Sequence, residues 1–95
     1  MYTNHAELRC QQRGISKQLC ELVKKFGSYK YDGQGARVWF LPKRKLESIS
    51  SLLTSSEKNL LEKKQRTYLV ESVDTNSLIT VGVSYRSGRR LGRLQ

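Results

Sequence analysis

The hydrophobic residues of this 95-residue chain change their spacing between its first and last thirds, and this change constrains the fold more than any other feature. In the first third they recur every three or four positions, as on one face of a helix, at Leu19, Leu22, Val23 and Phe26. In the last third they alternate, as in a half-buried strand, at Ile79, Val81, Val83 and Tyr85. Helices followed by strands predict an α+β domain, with two N-terminal helices packed on a twisted antiparallel β-sheet.

Capping signals give the bounds of the two predicted helices. Asn4 and Glu7 have the spacing of a capping box, which predicts a first helix over residues 5–13, ended by the glycine that follows. Ser16 is a suitable N-cap for the second helix, and Gly27 ends it.

The middle of the chain is predicted to hold a polar turn, one strand and a helical insertion. Residues 28–35 are polar and contain two glycines, whereas residues 37–41 are apolar enough for a strand that Pro42 would stop. Residues 43–65 place apolar side chains at helical spacing. Thr54 and Glu57 form a second capping-box pattern, which would divide this insertion into a helix and a shorter second helix.

A terminal hairpin completes the predicted sheet. Its strands are residues 67–73 and 78–86, joined by the polar turn 74–77. Alternation should place Ile79 on the core face together with the apolar residues two and four positions later. Residues 1–86 are therefore predicted to form a single domain, and residues 87–95 a basic C-terminal tail.

Positive charge is the strongest compositional signal. Eighteen Lys and Arg residues against eight Asp and Glu residues give a net charge of +10, which attracts polyanions and favours RNA or DNA as a partner. The alternative is a basic surface that only keeps a small protein soluble. The sequence shows no membrane span and no signal peptide, so we expect a cytoplasmic protein without membrane contact, with Cys10 and Cys20 reduced.

The first predicted helix carries a stripe of three residues suited to phosphate chemistry. His5, Arg9 and Arg13 are spaced four apart and share one face. Arginine binds phosphate in a bidentate fork, and an imidazole near neutral pH can transfer protons. The alternative is structural: the histidine caps or packs, and the arginines pair with Glu7 or Glu21.

Further cations follow the last predicted strand. Tyr85 and Arg86 could complete a pocket with the first helix if the two elements are neighbours; alternatively, they are a core aromatic residue and an exposed strand end. The tail arginines should hold phosphates without reading sequence, and they are Arg89, Arg90 and Arg93.

Aromatic residues alternate with cations between the second helix and the first predicted strand. Tyr29 and Tyr31 flank Lys30, and Arg37 precedes Trp39. Rings that stack on bases, beside cations that attract the backbone, are typical of single-stranded RNA binding. The only tryptophan favours a core position, so the two tyrosines are the better candidates for exposure.

No metal or cofactor site is predicted. The two aspartates lie in turn contexts, the histidine and cysteines lack zinc spacing, and no phosphate-binding loop motif is present. A nuclease built on this chain should therefore be metal-independent and act on RNA, whose 2′-hydroxyl serves as the internal nucleophile.

The block His-Ala-x-x-Arg-x-x-x-Arg-Gly-Ile at residues 5–15 resembles a family of small bacterial proteins of unknown function, which is similar to the RelE/ParE/BrnT-like toxins. The resemblance implies a RelE-like sheet and a metal-independent endoribonuclease, with an acidic antitoxin as partner. It also implies catalytic roles for five residues, His5, Arg9, Arg13, Tyr85 and Arg86. The long basic insertion departs from a typical toxin.

Three functions follow as hypotheses. The first is the ribonuclease toxin, whose histidine would act as general acid or base. The second is a non-catalytic RNA- or DNA-binding or regulatory protein, and the third is an interaction module for an acidic partner protein.

Overall fold

A computed structural model describes residues 2–84 of the chain. The elements are α1 (Asn4–Arg13), α2 (Lys17–Phe26), β1 (Ser28–Tyr31), β2 (Ala36–Phe40), α3 (Lys43–Ile49), a 3₁₀ turn (Ser50–Leu52), α4 (Ser55–Lys63), β3 (Thr67–Ser72) and β4 (Leu78–Val83). The predicted α+β class is confirmed. The predicted domain end at residue 86 and the tail 87–95 lie outside the described residues.

Helix α1 begins one residue earlier than predicted because Thr3, not Asn4, is its N-cap. The Thr3 Oγ1 atom accepts the Ala6 N–H at 3.1 Å. The Thr3 backbone is extended and donates its N–H to the carbonyl of Leu78, so this residue is held against β4 before the helix starts. At the other end Gly14 has φ 63°, and this left-handed residue closes the helix as expected.

Helix α2 agrees with its predicted caps. The Ser16 Oγ atom accepts the Leu19 N–H at 3.1 Å. Gly27 is required by close approach and not by unusual dihedral angles, because its φ is −83°. A Cβ atom at this position would lie 2.3 Å from the carbonyl oxygen of Val23 and 2.4 Å from that of Phe40.

The expected polar turn over residues 28–35 was wrong in its first half, which forms strand β1 antiparallel to β2. Strand β1 is an edge strand that pairs only with β2, and an exposed edge strand needs few apolar residues. Its sequence therefore lacks the hydrophobic pattern that would predict a strand. The turn itself is held by Asp32, whose Oδ1 atom accepts the N–H groups of Gln34 and Ala36 at 2.6 and 3.0 Å.

The predicted helical insertion is present and contains α3, the 3₁₀ turn and α4. Both hydrogen bonds of the Thr54–Glu57 capping box form, at 3.1 and 3.0 Å. The second helix was expected to be the shorter one, which was wrong: α4 has 9 residues and α3 has 7. A complete capping box at the start of α4 stabilises it, whereas the N-cap of α3 is Pro42, which makes no side-chain cap.

The four strands form one antiparallel sheet in the order β1-β2-β3-β4. Helix α1 packs along β4 and α2 packs on β2, while the insertion adjoins α2. The core between helices and sheet includes Leu19 and Val23 from α2, Leu61 from α4 and Leu69 from β3. The helices therefore cover one face of the sheet. Within residues 2–84, every helix is too short or too polar to cross a bilayer.

The β3–β4 hairpin differs from the predicted alternation at one residue. The pairing register shifts between Val70 and Glu71, so that Glu71 pairs with Leu78 and Val70 pairs with Thr80. This β-bulge leaves Ile79 as an extra residue and turns it outward, and Ile79 is 39% exposed. Its expected position on the core face was therefore wrong, and Leu78 and Val81 are buried there instead.

Candidate nucleic-acid interface

Three aromatic rings meet on the β1–β2 part of the sheet. Tyr29 pairs with Trp39 across the two strands, so both side chains lie on the same face. The ring centroids of these two residues are 4.8 Å apart, and Tyr31 packs edge-on against Tyr29 at 5.4 Å. Tyr29 is 43% exposed and Tyr31 is 59% exposed, so the outer rings are open to a ligand.

Two cations lie against these rings. The Arg37 guanidinium is 5.9 Å from the centroid of Tyr29, and the Lys24 ammonium is 5.8 Å from the ring of Trp39. Arg37 comes from β2 and Lys24 from the second half of α2, which packs on β2. We call this set, Tyr29, Tyr31, Trp39, Lys24 and Arg37, the aromatic–basic surface.

A buried carboxylate connects the parts of this surface. The Glu71 side chain is only 3% exposed and accepts three donors. The indole Nε1 of Trp39 donates at 2.9 Å, the Nε of Arg37 donates at 3.1 Å, and the Lys24 ammonium pairs with the second carboxylate oxygen. Burial would raise the pKa of Glu71, but hydrogen bonds from Lys24 and Trp39 and the two positive charges outweigh it and lower the pKa. The carboxylate is therefore ionised at neutral pH and fixes both cations beside the rings.

The aromatic–basic surface has the chemistry for binding a single strand. Base stacking on an aromatic ring is tolerant of sequence, and cations beside the rings attract the phosphates. A side-chain hydrogen bond with Tyr31 raises the pKa of Tyr29 above its ordinary value, so the phenol remains neutral and does not repel phosphate. Lys24 keeps 40% of its side chain exposed and can reach a phosphate as well as Glu71.

The sequence identified part of this surface. Tyr29, Tyr31 and Arg37 were predicted as nucleic-acid-binding residues, and the structure brings them together. Lys30 points to the opposite face of the sheet, where its ammonium lies 6.0 Å from the ring centroid of Phe40. Lys24 was missed because a lysine near the end of a helix gives no sequence signal that distinguishes it from a solvated cation.

Glu71 was also missed. An acidic residue within a predicted strand could have indicated a buried ion pair, because β3 buries every second residue and the position of Glu71 is in phase with Thr67 and Leu69. Trp39 was assigned to the core from its residue type. It is half-buried, packed against the core on one side and against Tyr29 on the other.

The predicted stripe lies on α1, which packs along β4, whereas the aromatic–basic surface lies on β1, β2 and α2. His5 is exposed, and the Arg9 Nε atom donates to its Nε2 atom at 3.4 Å. Arg13 is partly buried, and its Nε atom has no hydrogen-bond partner within residues 2–84. His5 and Arg13 are separated by eight residues, or about 12 Å along a helix. No residue of the stripe lines the two cavities of the insertion or the cavity beside Tyr2 and Glu71.

Helix α1 runs in the same direction as β4. Its start is hydrogen-bonded to Leu78, at the beginning of β4. Its C-terminal Gly14 lies near Lys64, at the end of the sheet where Thr67 pairs with Val83. His5 is therefore next to the beginning of β4. The predicted site residues that follow β4 lie outside the described residues, and they are Tyr85, Arg86, Arg89, Arg90 and Arg93.

The two cysteines lie in the core between α1 and α2. Both are free thiols and both are buried. Burial, together with the nearby Cys10, raises the pKa of Cys20 to about 12, so this thiol stays protonated at neutral pH. Among residues 2–84, no group of three His, Cys, Asp or Glu side chains is placed to hold a metal ion.

Comparison of the chain with protein-family models, with curated proteins and with solved structures gives no match.

Proposed function

We propose that this protein binds single-stranded RNA through the aromatic–basic surface. The observation that carries the proposal is the packing of Tyr29, Tyr31 and Trp39 into one partly exposed cluster, with Lys24 and Arg37 held against the rings. Rings on neighbouring strands with cations beside them match a chain of alternating bases and phosphates.

The preorganisation of the cations supports this function. Arg37 donates to both Glu71 and Asn76, at 3.1 and 2.5 Å, so its guanidinium is fixed before any ligand arrives. A side chain that is already ordered loses less conformational entropy on binding. The net charge of +10 adds long-range attraction for any nucleic acid and speeds the encounter.

Fluorescence anisotropy with a labelled octauridylate tests the proposal. Tyr31→Ala removes the most exposed ring and should weaken binding by about fivefold to a hundredfold, the range measured for one stacked base. Leu52→Ala is the control, because Leu52 is an apolar residue on the 3₁₀ turn of the insertion that is even more exposed than Tyr31. Equal affinities for the wild type and both variants would contradict the assignment of the surface.

Salt dependence separates this surface from a purely electrostatic one. Affinity should fall with rising salt, with a slope of about 0.7 for each phosphate contacted. Stacking on the rings should leave measurable binding at salt concentrations at which a simple polycation no longer binds. A complex that disappears entirely with modest salt would indicate charge alone.

A metal-independent endoribonuclease of the RelE-like toxin class is the second candidate, and the Arg9–His5 contact favours it. Arg9 donates to Nε2 of His5, so that nitrogen accepts and the imidazole lies beside a guanidinium. A neutral imidazole can take the proton of a 2′-hydroxyl, and the guanidinium can stabilise charge on the phosphate. An acidic antitoxin and a cytoplasmic location belong to this second proposal.

Incubation of RNA with the purified protein in EDTA decides between the two candidates. Cleavage that falls by two to four powers of ten in His5→Ala supports the nuclease, since this is the usual size of a general acid–base contribution. A shifted band with intact RNA supports the binding protein. Cleavage that His5→Ala leaves unchanged excludes the histidine from the mechanism.

A further inference from the structure

A small cavity opens directly beside the aromatic–basic surface. Its volume is about 220 Å³, smaller than a typical drug-sized site, and it is lined by Tyr2, Glu21, Lys24, Glu71, Asn76 and Leu78. Three of these residues also hold the aromatic–basic surface together: Lys24 contacts Trp39, Glu71 accepts from Arg37, and Asn76 accepts from Arg37. The cavity therefore shares part of its wall with the aromatic–basic surface.

Glu21 stands out among the residues that line the cavity. Glu71 is fully engaged by its three donors, whereas the exposed Glu21 carboxylate makes no hydrogen bond or ion pair within residues 2–84. Burial, the Cys20 and Cys10 thiols and, as the smallest contribution, the Glu21 charge raise the pKa of Tyr2, which lines the same cavity. The two carboxylate oxygens of Glu21 repel phosphate, but they can accept hydrogen bonds from a ligand that presents two donors.

Glu21 and Lys24 are placed to act as a pair. They lie three residues apart on α2 and therefore on one face of the helix, and both line the cavity. The Lys24 ammonium uses one donor on Glu71 and retains others. The cavity wall therefore presents the Lys24 ammonium as a donor next to the two carboxylate oxygens of Glu21 as acceptors.

The Watson–Crick edge of guanine is complementary to this wall. It presents the O6 acceptor next to the N1–H and N2–H donors, so O6 can accept from Lys24 while the two donors bind Glu21 in a bidentate pair. Adenine and cytosine present a donor where guanine has O6 and an acceptor where guanine has N1–H. Their donor would face the Lys24 donor, and their acceptor would face the Glu21 acceptor. Uracil matches at O4 and N3–H but has an acceptor in the third position.

We propose that this cavity binds a guanine base of single-stranded RNA, with Glu21 as the residue that determines specificity. The inference rests on the proposed function, because the guanine would be one base of a strand held on the aromatic–basic surface. Lys24 then has two tasks, contacting O6 of the base and pairing with Glu71.

Anisotropy titrations with a labelled octauridylate and its singly substituted forms test this proposal. One central uridine is replaced by guanosine, adenosine or inosine, and each RNA is titrated with the wild type, Glu21→Gln and Glu62→Gln. The Glu62 carboxylate is exposed on α4, away from the cavity, so its variant makes the same change in charge elsewhere.

The wild type should bind the guanosine strand about tenfold more tightly than the adenosine strand, the size expected for a good bidentate pair. The affinity for the inosine strand should lie between these two, because inosine lacks the N2 amine. Glu21→Gln should lose the preference, since an amide offers one acceptor and one donor, while Glu62→Gln should keep it.

The outcomes also separate the two proposals. Tight binding of every strand without a guanosine preference would overturn the guanine site and leave the RNA-binding surface in place. A preference that persists in Glu21→Gln would likewise overturn it. If no strand binds at all, both the guanine site and the proposed function are wrong.

Discussion

Replacing Glu71 by glutamine should destabilise the protein, because three donors depend on this one buried carboxylate. The glutamine side chain has nearly the same shape, but it removes the negative charge, and its amide group brings an N–H donor to the position that faces Lys24. The change thus tests the charge and the hydrogen bonds rather than the packing.

The size of the loss follows from the exposure of each donor. Trp39 and Arg37 donate to the same carboxylate oxygen, and the glutamine oxygen can take its place and accept both. The bond from Arg37 then falls from the range for a charged pair, about 1.5–3 kcal/mol, toward the neutral value of about 1 kcal/mol. Lys24 is 40% exposed, so water replaces its partner and its pair contributes at most about 1 kcal/mol. We expect the free energy of unfolding to fall by about 1–2 kcal/mol.

Urea unfolding followed by fluorescence gives this value directly, because the single tryptophan is itself a partner of Glu71. Glu62→Gln serves as the control for the loss of one negative charge, and its unfolding midpoint should move little. A loss below about 0.5 kcal/mol in Glu71→Gln, the range of ordinary surface substitutions, would refute the view that this carboxylate organises the site.

Two further predictions concern stability. The pKa of Glu71 is lower in the folded protein than its ordinary value of 4.5, so its contribution to stability is complete above that pH and is lost as the pH falls. In thermal denaturation between pH 6 and 3, the melting temperature of Glu71→Gln should therefore fall less than that of the wild type. Gly27→Ala places a methyl group 2.3 Å from the carbonyl oxygen of Val23, and it should lower the free energy of unfolding by about 2 kcal/mol or more in the same urea assay. Gly33→Ala is the control: its methyl group would meet no atom within 4 Å, and its φ of 79° should cost only about 1 kcal/mol.

The local parts of the fold were predictable because nearby residues determine them. Ser16 caps α2, and Thr54 with Glu57 caps α4, through hydrogen bonds that span three residues. The first N-cap was misplaced because Thr3 and Asn4 are both suitable caps by residue type. The choice between them depends on the contact of Thr3 with Leu78, more than seventy residues away in the chain.

The candidate site could be predicted only as far as alternation allowed. Tyr29 and Tyr31 fall on one face because they are two residues apart, and the same rule puts Lys30 on the other face. Glu71 joins them only through the pairing of β2 with β3, which no local pattern indicates. The alternating pattern of β4 does not predict the bulge at Ile79 either, because the bulge depends on the pairing register of β4 with β3.

The intrinsic fluorescence of Trp39 offers the most direct test of the central claim, that bases stack on the aromatic–basic surface. Titration of the unlabelled wild-type protein with octauridylate at low salt should quench this fluorescence in a saturable manner, because a bound base would lie against the ring cluster that contains the only tryptophan. Fluorescence that stays constant while anisotropy reports a bound strand would place the RNA elsewhere on the protein and contradict the claim.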